Sequence, residues 1–301
     1  MNTPITVLLV LLALVATGYV FLWWRVEAAR ARAGNAPGAP VPTDLLTGFV
    51  VNFFDALGIG CFAPTTAIFK LQNRMPDELI PGTLNAGHCL PAVAQAFIFT
   101  VAVVVDPLTL ITMIGAAVAG AWLGAGIVAK LPRRAIQLGM GGALLVAAGL
   151  FLIKNLGWMP GSSDDPNLTA TGLQGGVLVF AVAVNFLLGA LMSLGIGLYA
   201  PCLILCSLLG MNPLAAFPIM SGSCAFLMPV GGLRFIRSGR YHARAAIAMA
   251  LGGVPAVFVA VYVVGSLPMT ALRWLVMVVV LYAAFAMLRT RAASTPSTSQ
   301  T

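Results

Sequence analysis

Polar positions are too sparse along most of this chain to set a helical or a strand period. Apolar runs near the ~20 residues that a bilayer requires follow one another. Short clusters rich in Arg, Lys, Asp, Gly and Pro separate them. The pattern predicts an N-terminal transmembrane helix over 1–24 and a linker over 25–44. It predicts further helices near 79–105, 107–130, 134–154, 213–236, 243–266 and 270–289. Two more apolar segments, 45–72 and 172–210, are interrupted by glycine and proline and do not read as single helices.

Composition fixes the class. The 301 residues are 60% hydrophobic and 8% charged, with a mean hydropathy of +1.00. A soluble domain of this length cannot hide that much apolar surface, so the fold class is an all-α polytopic membrane protein. The net charge of +8 sits in short clusters between the runs. That fits cytoplasmic loops better than a nucleic-acid surface. No Lys or Arg precedes the first run, and Arg25, Arg30 and Arg32 follow it. A retained helix with an external N-terminus fits better than a signal peptide, which carries its positive charge first. Trp23 and Trp24 suit an interfacial anchor. The linker "ARARAGNAPGAP" and the Ser/Thr-rich tail over 290–301 are expected to be disordered.

The two interrupted segments share a phrase. "GIGCFAP" begins at Gly58 and "GIGLYAP" at Gly195, 137 positions later. At the same offset Pro76 falls on Pro213 and Pro81 on Pro218; after one inserted residue, Pro91 falls on Pro229 and Phe97 on Phe235. The spaced identities predict a duplication, with repeat 1 over 45–154, an external loop over 155–171 and repeat 2 over 172–289.

Charge sets the parity of the broken segments. Lys130, Arg133 and Arg134 mark one inside loop, which places Lys70 and Arg74 inside as well. Arg234, Arg237, Arg240, Arg244, Arg289, Arg291 and the linker arginines fall inside only if both broken segments begin and end on one side. Segment 45–72 is too short for two full crossings, so a re-entrant hairpin is expected; 172–210 has room for a hairpin or two crossings. The two units are then inverted, with the C-terminus cytoplasmic.

Inverted repeats with interrupted helices are how many secondary transporters build a midplane site. Gly58, Gly60, Gly195 and Gly197 let the backbone turn, and Pro64 and Pro201 suit the first turn of the half-helix that follows. Two half-helix N-termini meeting at the centre favour an anion. Thr65, Thr66, Ser193, Tyr199 and Cys202 lie beside the breaks. By the repeat, Thr83, Asn85 and His88 are expected to face Ser221 and Ser223, although Ser and Thr also serve as helix–helix glue. Asp55 is an acid in an apolar run and, with His88, is a candidate for carrying a coupling proton.

The chain resembles the TauE/SafE family of sulfite and organosulfonate exporters over about residues 45 to 289. The resemblance rests on "DALGIGCFAPTTAIF" and "LGIGLYAPCLILCSLLGMNPLAAFPIMSGS". It implies an inner-membrane permease moving small sulfur-containing anions outward. The chain departs from the family pattern at Cys61 and Phe62, where members commonly carry more glycines, and in its extra N-terminal helix.

No P-loop or His-Glu zinc motif is present, so neither an ATP-driven pump in one chain nor an intramembrane hydrolase is favoured, and no enzyme activity or cofactor is expected. A different class remains open: a redox or sulfur-relay protein using Cys202, Cys206 and Cys224. All five cysteines lie in apolar segments, which does not suggest a disulfide framework. The partners expected are a small anion, the lipid bilayer and, as an option, a second copy forming a homodimer; no nucleic acid is expected.

Overall fold

The computed structural model describes residues 3–128, 170–192 and 197–266, with scattered helical positions within 138–152 and 271–288. The expected helices over 134–154 and 270–289 (those scattered positions aside), most of the loop 155–171, the tail and Gly195 lie outside the described residues. Among the described residues every regular element is helical, and the one β feature is an isolated bridge between Ala170 and Met211. The helices are α1 (Thr3–Arg32), α2 (Pro42–Ala56), α3 (Phe62–Leu71), α4 (Ile80–Gly87), α5 (Cys89–Ala102) and α6 (Pro107–Val128). They continue with α7 (Gly175–Met192), α8 (Tyr199–Leu208), α9 (Pro213–Ser238) and α10 (Ala243–Ser266). Five stretches are long and apolar enough to cross a membrane: Thr3–Arg32, Asp77–Ala102, Gly175–Met192, Pro213–Ser238 and Ala243–Val263.

Helix α1 runs on to Arg32, past the end expected at Trp24. Hydropathy falls after Trp24, but no residue there breaks a helix. Glu27 and Arg30 pair one turn apart at 2.8 Å, and Asn35 N–H donates back to the Arg30 carbonyl at 2.9 Å to close the final turn. The linker proper is therefore short, from 33 to 41.

Both broken segments are hairpins. Segment 45–72 divides into α2 and α3, which end where the segment began: Arg74, just beyond α3, donates to both carboxylate oxygens of Asp44 in the first turn of α2, at 2.9 and 3.0 Å. Segment 172–210 divides into α7 and α8, and its ends meet through the Ala170–Met211 bridge, with Asn212 N–H donating to the Ala170 carbonyl at 3.1 Å. The hairpins open at opposite ends of the Asp77–Ala102 span. Its start follows Arg74. Beyond its end, Asp106 N–H donates to Thr171 O at 2.9 Å, beside the mouth of the second hairpin.

The half-helices also stop alike. Asn73 at the end of α3 (φ 47) and Gly210 at the end of α8 (φ 89) both take the left-handed conformation. In each case the next N–H reaches back five residues, Arg74 to Phe69 and Met211 to Cys206, both at 3.0 Å. This is the glycine- or asparagine-capped helix end.

Packing is reciprocal between the halves. α2 lies against α10, and α7 lies against α6. Small residues allow both approaches: a β-carbon on Gly48 would sit 2.6 Å from the Met249 Cα, and one on Gly252, Gly120 or Gly189 would run into the backbone of Leu45, Phe186 or Ala117. α5 and α9 cross at the centre of the bundle. Pro218 and Pro229 each remove a ladder N–H within α9, while Pro91 lies in the first turn of α5. α1 docks outside this core, with Leu12, Tyr19 and Trp23 buried. Tyr19 Oη donates to Ala86 O at 3.2 Å, and Trp23 Nε1 donates to the Tyr241 hydroxyl at 3.1 Å.

Candidate functional site

The two interruptions meet. The first follows from Gly58, which turns the chain out of α2 at φ 100 while Ile59 N–H caps Phe54 O at 3.1 Å. Gly60 (φ 86) then aims the backbone into α3, in a region that suits glycine. A β-carbon on Gly60 would lie 3.7 Å from Cβ of Tyr199, the first residue of α8, and one on Gly58 would lie 3.1 Å from Leu203. Pro64 and Pro201 carry no N–H, so the helical ladders of α3 and α8 open with Thr65 to Cys61 O and Cys202 to Leu198 O. The N-terminal turns of both half-helices thus lie side by side in the core. Gly197 differs from Gly60: no described residue lies within 4 Å of a β-carbon built there.

A buried chain of hydrogen bonds joins the breaks. Tyr199 Oη donates to Gln95 Oε1 at 2.8 Å, and Gln95 Nε2 donates to Asp55 Oδ2 at 2.7 Å. Asp55 is 1% exposed and Gln95 0%. The other carboxylate oxygen, Asp55 Oδ1, is buried and makes no hydrogen bond of normal geometry, with the Cys61 thiol and backbone N–H close to the carboxylate.

A second chain runs beside the first break. Asn52 Nδ2 donates to Gly48 O at 2.7 Å, which turns Asn52 Oδ1 toward His88 Nδ1, 3.0 Å away. His88 Nδ1 therefore carries a proton and donates. On the other edge of the ring, His88 Nε2 lies 3.0 Å from Thr65 Oγ1, which is itself 2.8 Å from Cys61 O. With neutral His88, the Thr65 hydroxyl donates to Nε2. With a protonated ring, Nε2–H donates to Thr65, and the hydroxyl turns to Cys61 O. Either arrangement satisfies the same heavy atoms.

Asp55, Gly58, Gly60, Thr65, His88 and Tyr199 come together here. Thr66, Thr83, Asn85, Ser221 and Ser223 do not. Thr66 is half-buried on the next position of α3, and its hydroxyl makes none of the side-chain hydrogen bonds of this core. Thr83, Asn85 and His88 do not face Ser221 and Ser223. Thr83 accepts from His242 N–H at the end of the bundle, Ser221 bonds back to Phe217 O in its own helix, and Ser223 lies against Asn185 of α7. Asn85 lines a separate cleft. The expected repeat would make such residues equivalent, and equivalence under an inversion would not by itself bring them into contact. The five cysteines are free and buried; Cys224 Sγ meets Met192 Sδ at 3.6 Å, and no His/Cys/Asp/Glu cluster among the described residues suits a metal ion.

Gln95, Asn52 and Asn185 were not singled out from sequence. Each is an amide inside an apolar run, which is a signal in itself. Gln95 also lies two helical turns beyond His88, on the same face. Asn185 Nδ2 donates to Met113 O at 2.7 Å, and its Oδ1 is buried without a partner.

At the bundle end that carries Arg30, Arg74 and Arg240, the Asp44 hydrogen bonds hold Arg74 more firmly protonated than usual. Burial first, then the Glu27 carboxylate to which it donates, pushes the Tyr241 hydroxyl up.

These features define an all-α, membrane-embedded protein with two interrupted helical segments meeting at a closed polar core. No family model, curated protein or solved structure matches the chain.

Proposed function

We propose that the chain is a secondary transporter of the inner membrane, built from two inverted repeats, that exports a small anion. The cargo class we assign is sulfite or another sulfur-containing oxyanion or organosulfonate, on the resemblance to the TauE/SafE exporters. The observation that carries the reading is the meeting of two half-helix N-terminal turns at the Asp55–Gln95–Tyr199 chain. The reciprocal packing, the matched helix ends and the opposite-facing hairpins support the inversion.

The local chemistry supports proton coupling. Helix N-termini favour negative charge, but an ionised Asp55 opposes an anion. Protonation removes that charge and lets Oδ1, which Gln95 does not hold, donate to the anion itself. The site then takes anion and proton together and releases them together. Because Asp55, Gln95 and Tyr199 are buried, this arrangement is an occluded state, and alternating access requires one unit to move against the other.

Proteoliposomes holding the full chain test the reading, with radiolabelled sulfite, thiosulfate, sulfoacetate and taurine supplied with and without a pH gradient. At least one of these anions is expected to accumulate beyond empty vesicles, and more so with the gradient. Movement of none of them overturns the cargo class; movement that ignores the gradient overturns the coupling.

A further inference from the structure

A cleft of about 1050 Å³ opens sideways between α1, α6 and α9, and neither Asp55, Gln95 nor Tyr199 lines it. That volume is at the upper end of the ~300–1,000 Å³ usual for ligand pockets. The walls are apolar: Leu8 and Leu11 of α1, Ile111 and Trp122 of α6, Phe226 and Val230 of α9. The polar groups gather toward one end, at Asn85, Arg234, Ser238 and Arg240.

Two observations point to a ligand. Asn85 is 4% exposed, and its Nδ2 donates to Pro81 O at 2.9 Å. Its Oδ1 has no donor, and it faces Gly231 on the cleft wall, where a β-carbon would be 3.4 Å away. This oxygen is not among the fully buried unpaired atoms, so it is an acceptor open to the cleft. Independently, Arg234 and Arg240 take part in none of the ion pairs among the described residues.

We infer that this cleft holds a bilayer lipid with an anionic, hydroxyl-bearing headgroup. Its chains lie along the apolar walls, its phosphate lies at Arg234 and Arg240, and a headgroup hydroxyl donates to Asn85 Oδ1. An apolar space that faces the hydrocarbon is filled by hydrocarbon, and unpaired guanidinium groups at the interface select a phosphate with net negative charge. A choline headgroup has neither the net charge nor a hydroxyl to donate. The inference is independent of the transport reading.

Trp122 is a built-in reporter. The wild-type chain and W122F are reconstituted in phosphatidylcholine vesicles and titrated with brominated phosphatidylglycerol or brominated phosphatidylcholine. The Trp122 share of the fluorescence is the difference between the two proteins. Brominated phosphatidylglycerol should half-quench that share at a mole fraction at least about 5-fold lower than brominated phosphatidylcholine, since each arginine near the surface contributes roughly 5-fold toward an anionic lipid. R234Q and R240Q should each lower the preference by about that factor. R237Q removes the same charge from the same helix end but not from the cleft lining, and should leave the preference unchanged. Gly115→Phe fills the cleft from α6, where a β-carbon meets open space, and should abolish the preference. Val230→Trp does so from α9 and guards against misfolding of the first variant. Equal quenching by the two lipids overturns the proposal. So does an R237Q effect equal to that of R234Q, or a preference that survives both cleft-filling changes.

Discussion

Asp55 has one oxygen held by Gln95 and one without a hydrogen bond of normal geometry, and this imbalance sets what the residue can do. Asp55→Asn keeps the shape, removes the charge and cannot exchange a proton. The expected outcome in proteoliposomes is that exchange of anion for anion persists while pH-driven accumulation is lost. Loss of both would make Asp55 part of anion binding, and survival of both would make it structural. Tyr199→Phe tests the other end of the chain. It leaves Gln95 Oε1 buried and unpaired, a cost of about 1–3 kcal/mol, and should lower the unfolding midpoint of the purified protein as well as anion affinity. An unchanged midpoint would mean that the Gln95–Tyr199 bond does not form. At this scale the sequence was legible where a polar side chain interrupted an apolar run beside a break, as at Asp55, Thr65, His88 and Tyr199. It was not legible where the partner came from a helix distant in sequence, as Gln95 does.

At the scale of the element, arginine placement constrains where a segment begins and ends, and it led to the expectation of a hairpin over 45–72 and of a hairpin or two crossings over 172–210. The repeated phrase, however, predicts equal roles for its glycines, and the two breaks are not equal. Gly60 is left-handed, and no described residue crowds a β-carbon at Gly197. Gly60→Val therefore forces a β-branched residue into a backbone region that costs roughly 1–2 kcal/mol, at the contact with Tyr199. Gly197→Val meets open space. Transport by the Gly60 variant should fall at least tenfold with membrane insertion intact, while the Gly197 variant should lose much less. Equal losses would return the symmetric reading. The end of α1 was misread for a related reason: hydropathy marks where the bilayer ends, and a helix ends only where a backbone signal stops it, here after Arg32.

For the whole molecule, the decisive feature is that the hairpins open at opposite ends of one membrane span. The Asp44–Arg74 pair holds one mouth and the Ala170–Met211 bridge the other. A midplane site reachable from each side in turn needs this arrangement, because two hairpins entering from one face would place both half-helix dipoles in the same direction. On the positive-inside rule, the arginines at the Asp44–Arg74 end lead us to propose that this end is cytoplasmic. The five cysteines are buried, so an introduced surface cysteine is the group that reacts. Gln72 and Gln174 are exposed near the two mouths. In intact cells, a membrane-impermeant maleimide should label Gln174→Cys at once and Gln72→Cys only after permeabilisation. The reverse pattern would keep the fold and invert the orientation. Labelling of both from one side would mean that the hairpins share a face, and the paired half-helices would then no longer describe a site open to alternating access.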